Sequence, residues 1–90
     1  ISPDLRARYD VRKAELRACA ERIAATRSFD DDSIAELRGL LHKLAGSAGM
    51  FKEAKLGSRA ADLEDALELC PPEERPARVR EVTEALTEAT

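Results

Sequence analysis

Apolar residues return every three or four positions through four stretches of this 90-residue chain, and three short breaks separate them. That period belongs to the α-helix, because residues three and four apart stack on one face. A chain patterned this way buries its apolar stripes by packing helix on helix. In the first stretch Leu5, Tyr9, Leu16, Ala20 and Ile23 share a face, which predicts a helix over 3–26. Ser2 suits its cap, and Pro3 suits the first helical position. "SFDDD" ends it, and Asp31 or Asp32 is expected to cap a second helix over 33–50. Ser33 and Glu36 offer capping-box spacing at the same place. Ile34, Leu37, Leu41, Leu44 and Ala48 form the stripe of that helix.

The pattern changes phase at "GMFKEAKLG", where a continued helix would turn Lys52 toward the core. A kink or short break is expected there. A third helix over 53–69 carries Leu56, Ala60, Leu63 and Leu67. "CPPEERP" ends it, because adjacent prolines cannot continue a helix. A fourth helix over 74–89 points Val79, Val82 and Leu86 inward, with Pro76 in its first turn. Four amphipathic helices with short connections predict an all-α fold: an antiparallel up-down-up-down four-helix bundle, one domain over 1–90.

Composition agrees with helices rather than sheets: 43% of residues are hydrophobic, 37% charged and only 3% aromatic. The net charge is −3 with acids and bases interspersed, so no basic block invites nucleic acid. No apolar run approaches the ~18 residues of a membrane span, and no secretory signal stands out. A monomeric cytoplasmic domain is expected. Cys19 and Cys70 fall on apolar helical positions. A disulfide between them stays open, but free buried thiols are favoured, since two cysteines make no framework and match no metal spacing. The chain begins at Ile1, as would a domain cut from a longer protein or a processed chain.

One short run, "LLHKLAGSAG", does not fit a purely structural helix. It holds the lone histidine, His42, with Gly46 and Gly49 after it. Glycine costs roughly 1 kcal/mol against alanine inside a helix. On a wheel of ~100° per residue, His42 falls more than about 100° from the middle of the apolar sector, on a flank open to solvent. Ala45, Gly46 and Gly49 stack on its face and are bare or nearly so. Side chains lean toward the helix N-terminus, so these are the positions that would crowd the ring. A core or plain surface histidine would not need that clearing.

Several chemistries drop out. Ser47 points ~140° away from His42 on the wheel, so a Ser–His pair is implausible. A metal site would need more ligands than one histidine. "GSAG" lies inside a helix and is no phosphate loop. Nucleophilic chemistry at an imidazole nitrogen remains, with a partner supplying the rest of the site. Imidazole ordinarily titrates near ~6.5, so much of it is neutral and nucleophilic at pH 7.

"HKLAGSAGMF", followed by "LGSRAADLEDAL", resembles the histidine phosphotransfer (HPt) domain over about residues 37–68. The resemblance implies a phosphocarrier rather than an enzyme, without an ATP site. It implies that His42 carries a phosphoryl group to or from a receiver-domain aspartate of a two-component phosphorelay. The implied partners are a response-regulator receiver domain, a histidine kinase, or both. No cofactor is expected on this chain; Mg²⁺ belongs to the receiver. Gly46 and Gly49 would keep a docking face open, with Ala45 on it and Leu40 and Met50 as its apolar rim. Phe51 is expected in the core rather than on that rim. Glu64 matches a position where relatives place an imidazole partner; a solvated surface acid is the equal alternative. On a wheel it falls on a flank beside Glu53 and Glu68.

Two departures stand out. The family usually has lysine three residues after the histidine, where this chain has Ala45. Slower or differently balanced transfer is expected, or a charge supplied instead by Arg38, Lys43 or the partner. The family often has glycine ten residues on, where this chain has Lys52, either a second replacement cation or, more simply, a solvated residue at the kink. A non-phosphorylated helical module that docks a receiver or kinase is the alternative function. A fragment of an oligomer interface is the third.

Overall fold

The computed structural model describes residues 3–88. Four helices account for most of them: α1 Pro3–Thr26, α2 Asp31–Ser47, α3 Ala54–Leu69 and α4 Arg75–Glu88. No strand occurs among the described residues. Ser2 and the last residue expected in the fourth helix lie outside them. α2 packs against α1 and α3, and α4 packs against α1 and α3. Side-chain links run in opposite order on neighbouring helices. Arg12 reaches Ser47 at 3.3 Å, and Arg22 reaches Glu36 at 3.1 Å. Leu16, Ile23, Leu37, Leu41, Leu44, Val79 and Val82 are fully buried between the helices. Each such side chain contributes roughly 1.5–3 kcal/mol by leaving water.

Leu5 departs from expectation. It is 44% exposed, although the helical period assigns it to the core. At ~1.5 Å per residue α1 is about 36 Å long, well beyond the length of α2 or α4. Leu5 lies in the exposed first turn of that long helix, one turn before the buried Tyr9.

The helix ends explain the breaks. Asp30, not Asp31, Asp32 or Ser33, caps α2: its backbone is extended and its carboxylate accepts the Ser33 N–H at 2.8 Å. That bond holds the Asp30 carboxyl below its usual value. Asp31 and Asp32 occupy the first turn, where negative charge suits the helix dipole. Phe29 before the cap and Ile34 after it have staple spacing, and both pack on the core. Arg75 ties this turn to α4, donating to the Phe29 carbonyl at 2.7 Å and pairing with Asp31 at 2.8 Å.

α2 stops at Ser47, short of the expected 50, and a 3₁₀ turn over Ala48–Phe51 follows. Lys52 then takes a left-handed conformation, φ 61°, and the Glu53 N–H bonds back to the Ala48 carbonyl at 3.0 Å. Arg27 ends α1 in the same way, with φ 55° and the Ser28 N–H on the Ile23 carbonyl. Both are caps that usually use glycine. The glycine expected of the family ten residues after the histidine therefore has a conformational reason.

Glu53 is not beside Glu64. It precedes α3 with non-helical φ −118° and ψ 44°, so a wheel drawn through α3 misplaces it. Its carboxylate accepts the Tyr9 hydroxyl at 2.7 Å and Lys13 Nζ at 3.2 Å, with Arg6 at 3.6 Å. Tyr9 stacks on Phe51, centroids 4.4 Å apart, and Phe51 is buried. This cluster clamps the α2–α3 turn onto α1. Burial alone would raise the Glu53 carboxyl, but bonds from Tyr9 and Lys13 and the charges of Lys13 and Arg6 outweigh it and hold it low. Burial and the bond to Glu53 push the Tyr9 hydroxyl well above its usual value. Cys19 and Cys70 are free thiols, the first buried and the second partly so.

Candidate functional site

His42 stands in the C-terminal half of α2, on its outer face, its side chain 77% exposed. Leu41 and Leu44 on either side are fully buried and hold the helix to the core. Nδ1 of the ring lies 3.3 Å from Glu64 Oε1 on α3. An ionised carboxylate only accepts, so a neutral ring carries its proton on Nδ1 and its lone pair on Nε2. The Glu64 side chain is 24% exposed and lines the same shallow depression as His42. The two candidate residues are thus brought together across 22 positions of sequence.

A second rung lies one turn away, where Arg38 pairs with Glu68 at 3.4 Å. The paired numbers rise on α2 as they fall on α3. On the same register Ala61 comes opposite Ala45. His42, Ala45, Gly46, Ala61, Glu64 and Asp65 line one shallow depression. Ala61 and Asp65 escape a reading of α2 alone, but they follow once one cross-helix pair fixes the register.

Glycines sort into two kinds. A Cβ added at Gly39, Gly46 or Gly49 would meet nothing within 4 Å, and no glycine has positive φ. Neither packing nor backbone conformation inside this chain requires glycine at those three positions. Gly39 and Gly46 together forgo roughly 2 kcal/mol of helix propensity against alanine. Gly57 differs, because its added Cβ would sit 3.0 Å from the Ala48 Cβ and 3.4 Å from the Ala45 carbonyl oxygen. There α3 approaches α2 through the absence of a side chain. Gly39, three residues before His42, belongs with the cleared face and was legible from the i−3 spacing alone.

The remaining candidates divide. Met50 is 61% exposed, and Gly49 is open to solvent beside it. Ala45 is half-buried and packs on the core. Leu40 does not join the His42 face: it packs against the core, about 160° round the helix from His42 at ~100° per residue. Lys43 is exposed and lies ~100° round from His42 by the same count. Lys52 lies past the 3₁₀ turn, about 15 Å along the axis from His42 at ~1.5 Å per residue, too far to serve the ring. Among the described residues no three His, Cys, Asp or Glu side chains gather as a metal site. None of the helices among them is long and apolar enough to cross a membrane.

A family model described as the Hpt domain matches residues 9–90. The chain belongs to the Hpt domain family. Hpt domains are phosphocarrier modules of histidine phosphorelays, working with receiver domains or kinases. No curated protein and no solved structure matches the chain significantly. The Hpt match runs from the second turn of α1 through α4, so the His42–Glu64 seam lies inside it.

Proposed function

We propose that His42 is the phosphoryl-carrying residue and that it exchanges the group with a receiver-domain aspartate. The observation that carries this is an exposed ring, bonded through Nδ1 to Glu64, on a helix face cleared by glycines with no internal purpose. The Nε2 lone pair attacks the phosphorus of an aspartyl phosphate. The N–P bond forms as the P–O bond to the aspartate breaks, and a carboxylate leaves. The ring keeps its proton on Nδ1 and becomes cationic, and Glu64 offsets that charge. In the reverse direction an aspartate oxygen attacks phosphorus and the N–P electron pair returns to Nε2. Mg²⁺ on the receiver supports the transferring oxygens.

The reading includes a single monomeric domain with an antiparallel up-down-up-down course, no ATP site of its own and a cytoplasmic setting. The opposed order of the Arg12–Ser47, Arg22–Glu36, Arg38–Glu68 and His42–Glu64 links supports that course. Ala45, Gly46, Gly49 and Met50 form the docking face beside His42. A panel of receiver domains, phosphorylated with acetyl phosphate and Mg²⁺, tests the proposal. Acid-labile, base-stable label on the wild type and none on His42→Gln is expected. Tight binding without label, unchanged by His42→Ala, would instead make the chain a docking module.

A further inference from the structure

The Arg38–Glu68 rung is poorly satisfied beside a site that handles charge. Arg38 has five N–H donors to place. Its contact to Glu68 is a long 3.4 Å, and its Nε is buried with no hydrogen-bond partner. The Glu68 side chain is 56% exposed, so the pair is weakly held. Residues four apart on a helix have Cβ atoms about 5–6 Å apart, which brings Arg38 next to His42. Side chains lean toward the helix N-terminus, so the His42 ring tilts over the Arg38 turn. Gly39 leaves the space there unfilled.

We infer that Arg38 is the positioning cation for a phosphoryl group on His42, held in reserve by Glu68. When the group arrives on Nε2, the guanidinium leaves Glu68 and bonds the phosphoryl oxygens. Only an ion pair is exchanged; no covalent bond changes in this step. A phosphoryl group brings nearly two negative charges and three acceptor oxygens, against one charge on an exposed carboxylate. The exchange also offers the Arg38 guanidinium a closer contact than the 3.4 Å one to Glu68. It supplies from α2's preceding turn the charge that Ala45 does not. Lys43 points elsewhere round the helix, and Lys52 is too distant. The inference rests on His42 as carrier.

Loading with phosphoramidate, a small phosphoryl donor, separates the inference from the choice of partner. A ³¹P NMR titration of the loaded protein then reports the charge felt by the phosphoryl group. A nearby cation favours the dianion, so the wild-type group should titrate about one pH unit below that of Arg38→Ala. Arg38→Gln should match Arg38→Ala, and Lys43→Ala should stay close to wild type. Adding Ala45→Lys to Arg38→Ala should bring the midpoint back toward wild type. In the wild type the Arg38 Nε–H resonance should move on loading, a change that a merely structural arginine would not show. Equal midpoints for wild type and Arg38→Ala, or a larger shift in Lys43→Ala, would overturn the inference. Those outcomes would leave His42 as carrier untouched, because receiver labelling tests that separately.

Discussion

Two glutamates are treated in opposite ways: Glu53, in the turn before α3, faces α1, and Glu64, on α3, faces α2. Glu53 accepts from Tyr9 and Lys13, sits near Arg6, and is roofed by the Tyr9–Phe51 stack. Its carboxyl is saturated with partners and held low. Glu64 has one long contact, to an exposed ring. Saturation locks a turn in place and leaves nothing for an incoming molecule. A sparse bond to a solvent-facing histidine contributes little to folding but leaves the ring oriented and free. The same division separates Gly57, required by packing, from Gly39, Gly46 and Gly49, required by nothing inside the chain.

The sharpest break of that comparison is Glu53→Ala. It strands Tyr9 and Lys13, so a loss of about 2–3 kcal/mol is expected in urea unfolding. The cluster also carries a pH signature. The folded carboxyl titrates below its ordinary value near 4.5, so its stabilisation is complete above that pH. It is lost as pH falls through the lower folded value. The wild-type Tm should therefore drop on acidification below about pH 4.5, and Glu53→Gln should flatten that part of the curve.

Next in size come the glycines. Gly57→Ala should cost about 1–2 kcal/mol, because its new methyl group must displace the Ala48 side chain. Gly46→Ala should do the reverse and stabilise by about 0.5–1 kcal/mol, while Gly46→Leu should fold but slow receiver-dependent labelling. Lys52→Gly should add about 0.5–1 kcal/mol by relieving the left-handed lysine. The smallest effect belongs to Glu64→Gln: less than about 0.5 kcal/mol in stability, set against a clear fall in labelling rate. A large stability loss in Glu64→Gln would erase the contrast between the two glutamates.

Much of this was legible in the sequence because it depends on period. The presence of four helices, the break near Lys52, the outward turn of His42 and the flank position of Glu64 all follow from 3.6 residues per turn. What escaped depends on ends and on neighbours. Three consecutive aspartates are chemically alike, and only backbone geometry makes Asp30 the cap. Glu53 lies just outside α3, where no wheel applies. Leu5 has the right phase but lies in the exposed first turn of α1. Leu40 belongs with the legible part, because the same wheel sends it to the core side, away from His42. Gly57 looks like the other glycines until a partner helix is placed against it.

The central claim is that the cleared face of α2 exists to let His42 take up and release a phosphoryl group. The most direct measurement is phosphate transfer from a phosphorylated receiver panel to wild type and His42→Gln, with folding checked by circular dichroism. His42 is exposed, so both should fold alike. The account predicts acid-labile, base-stable label on the wild type alone, with return of the label to an unphosphorylated receiver. Equal labelling of the two proteins, or no labelling of the wild type by any receiver that binds it, would contradict it.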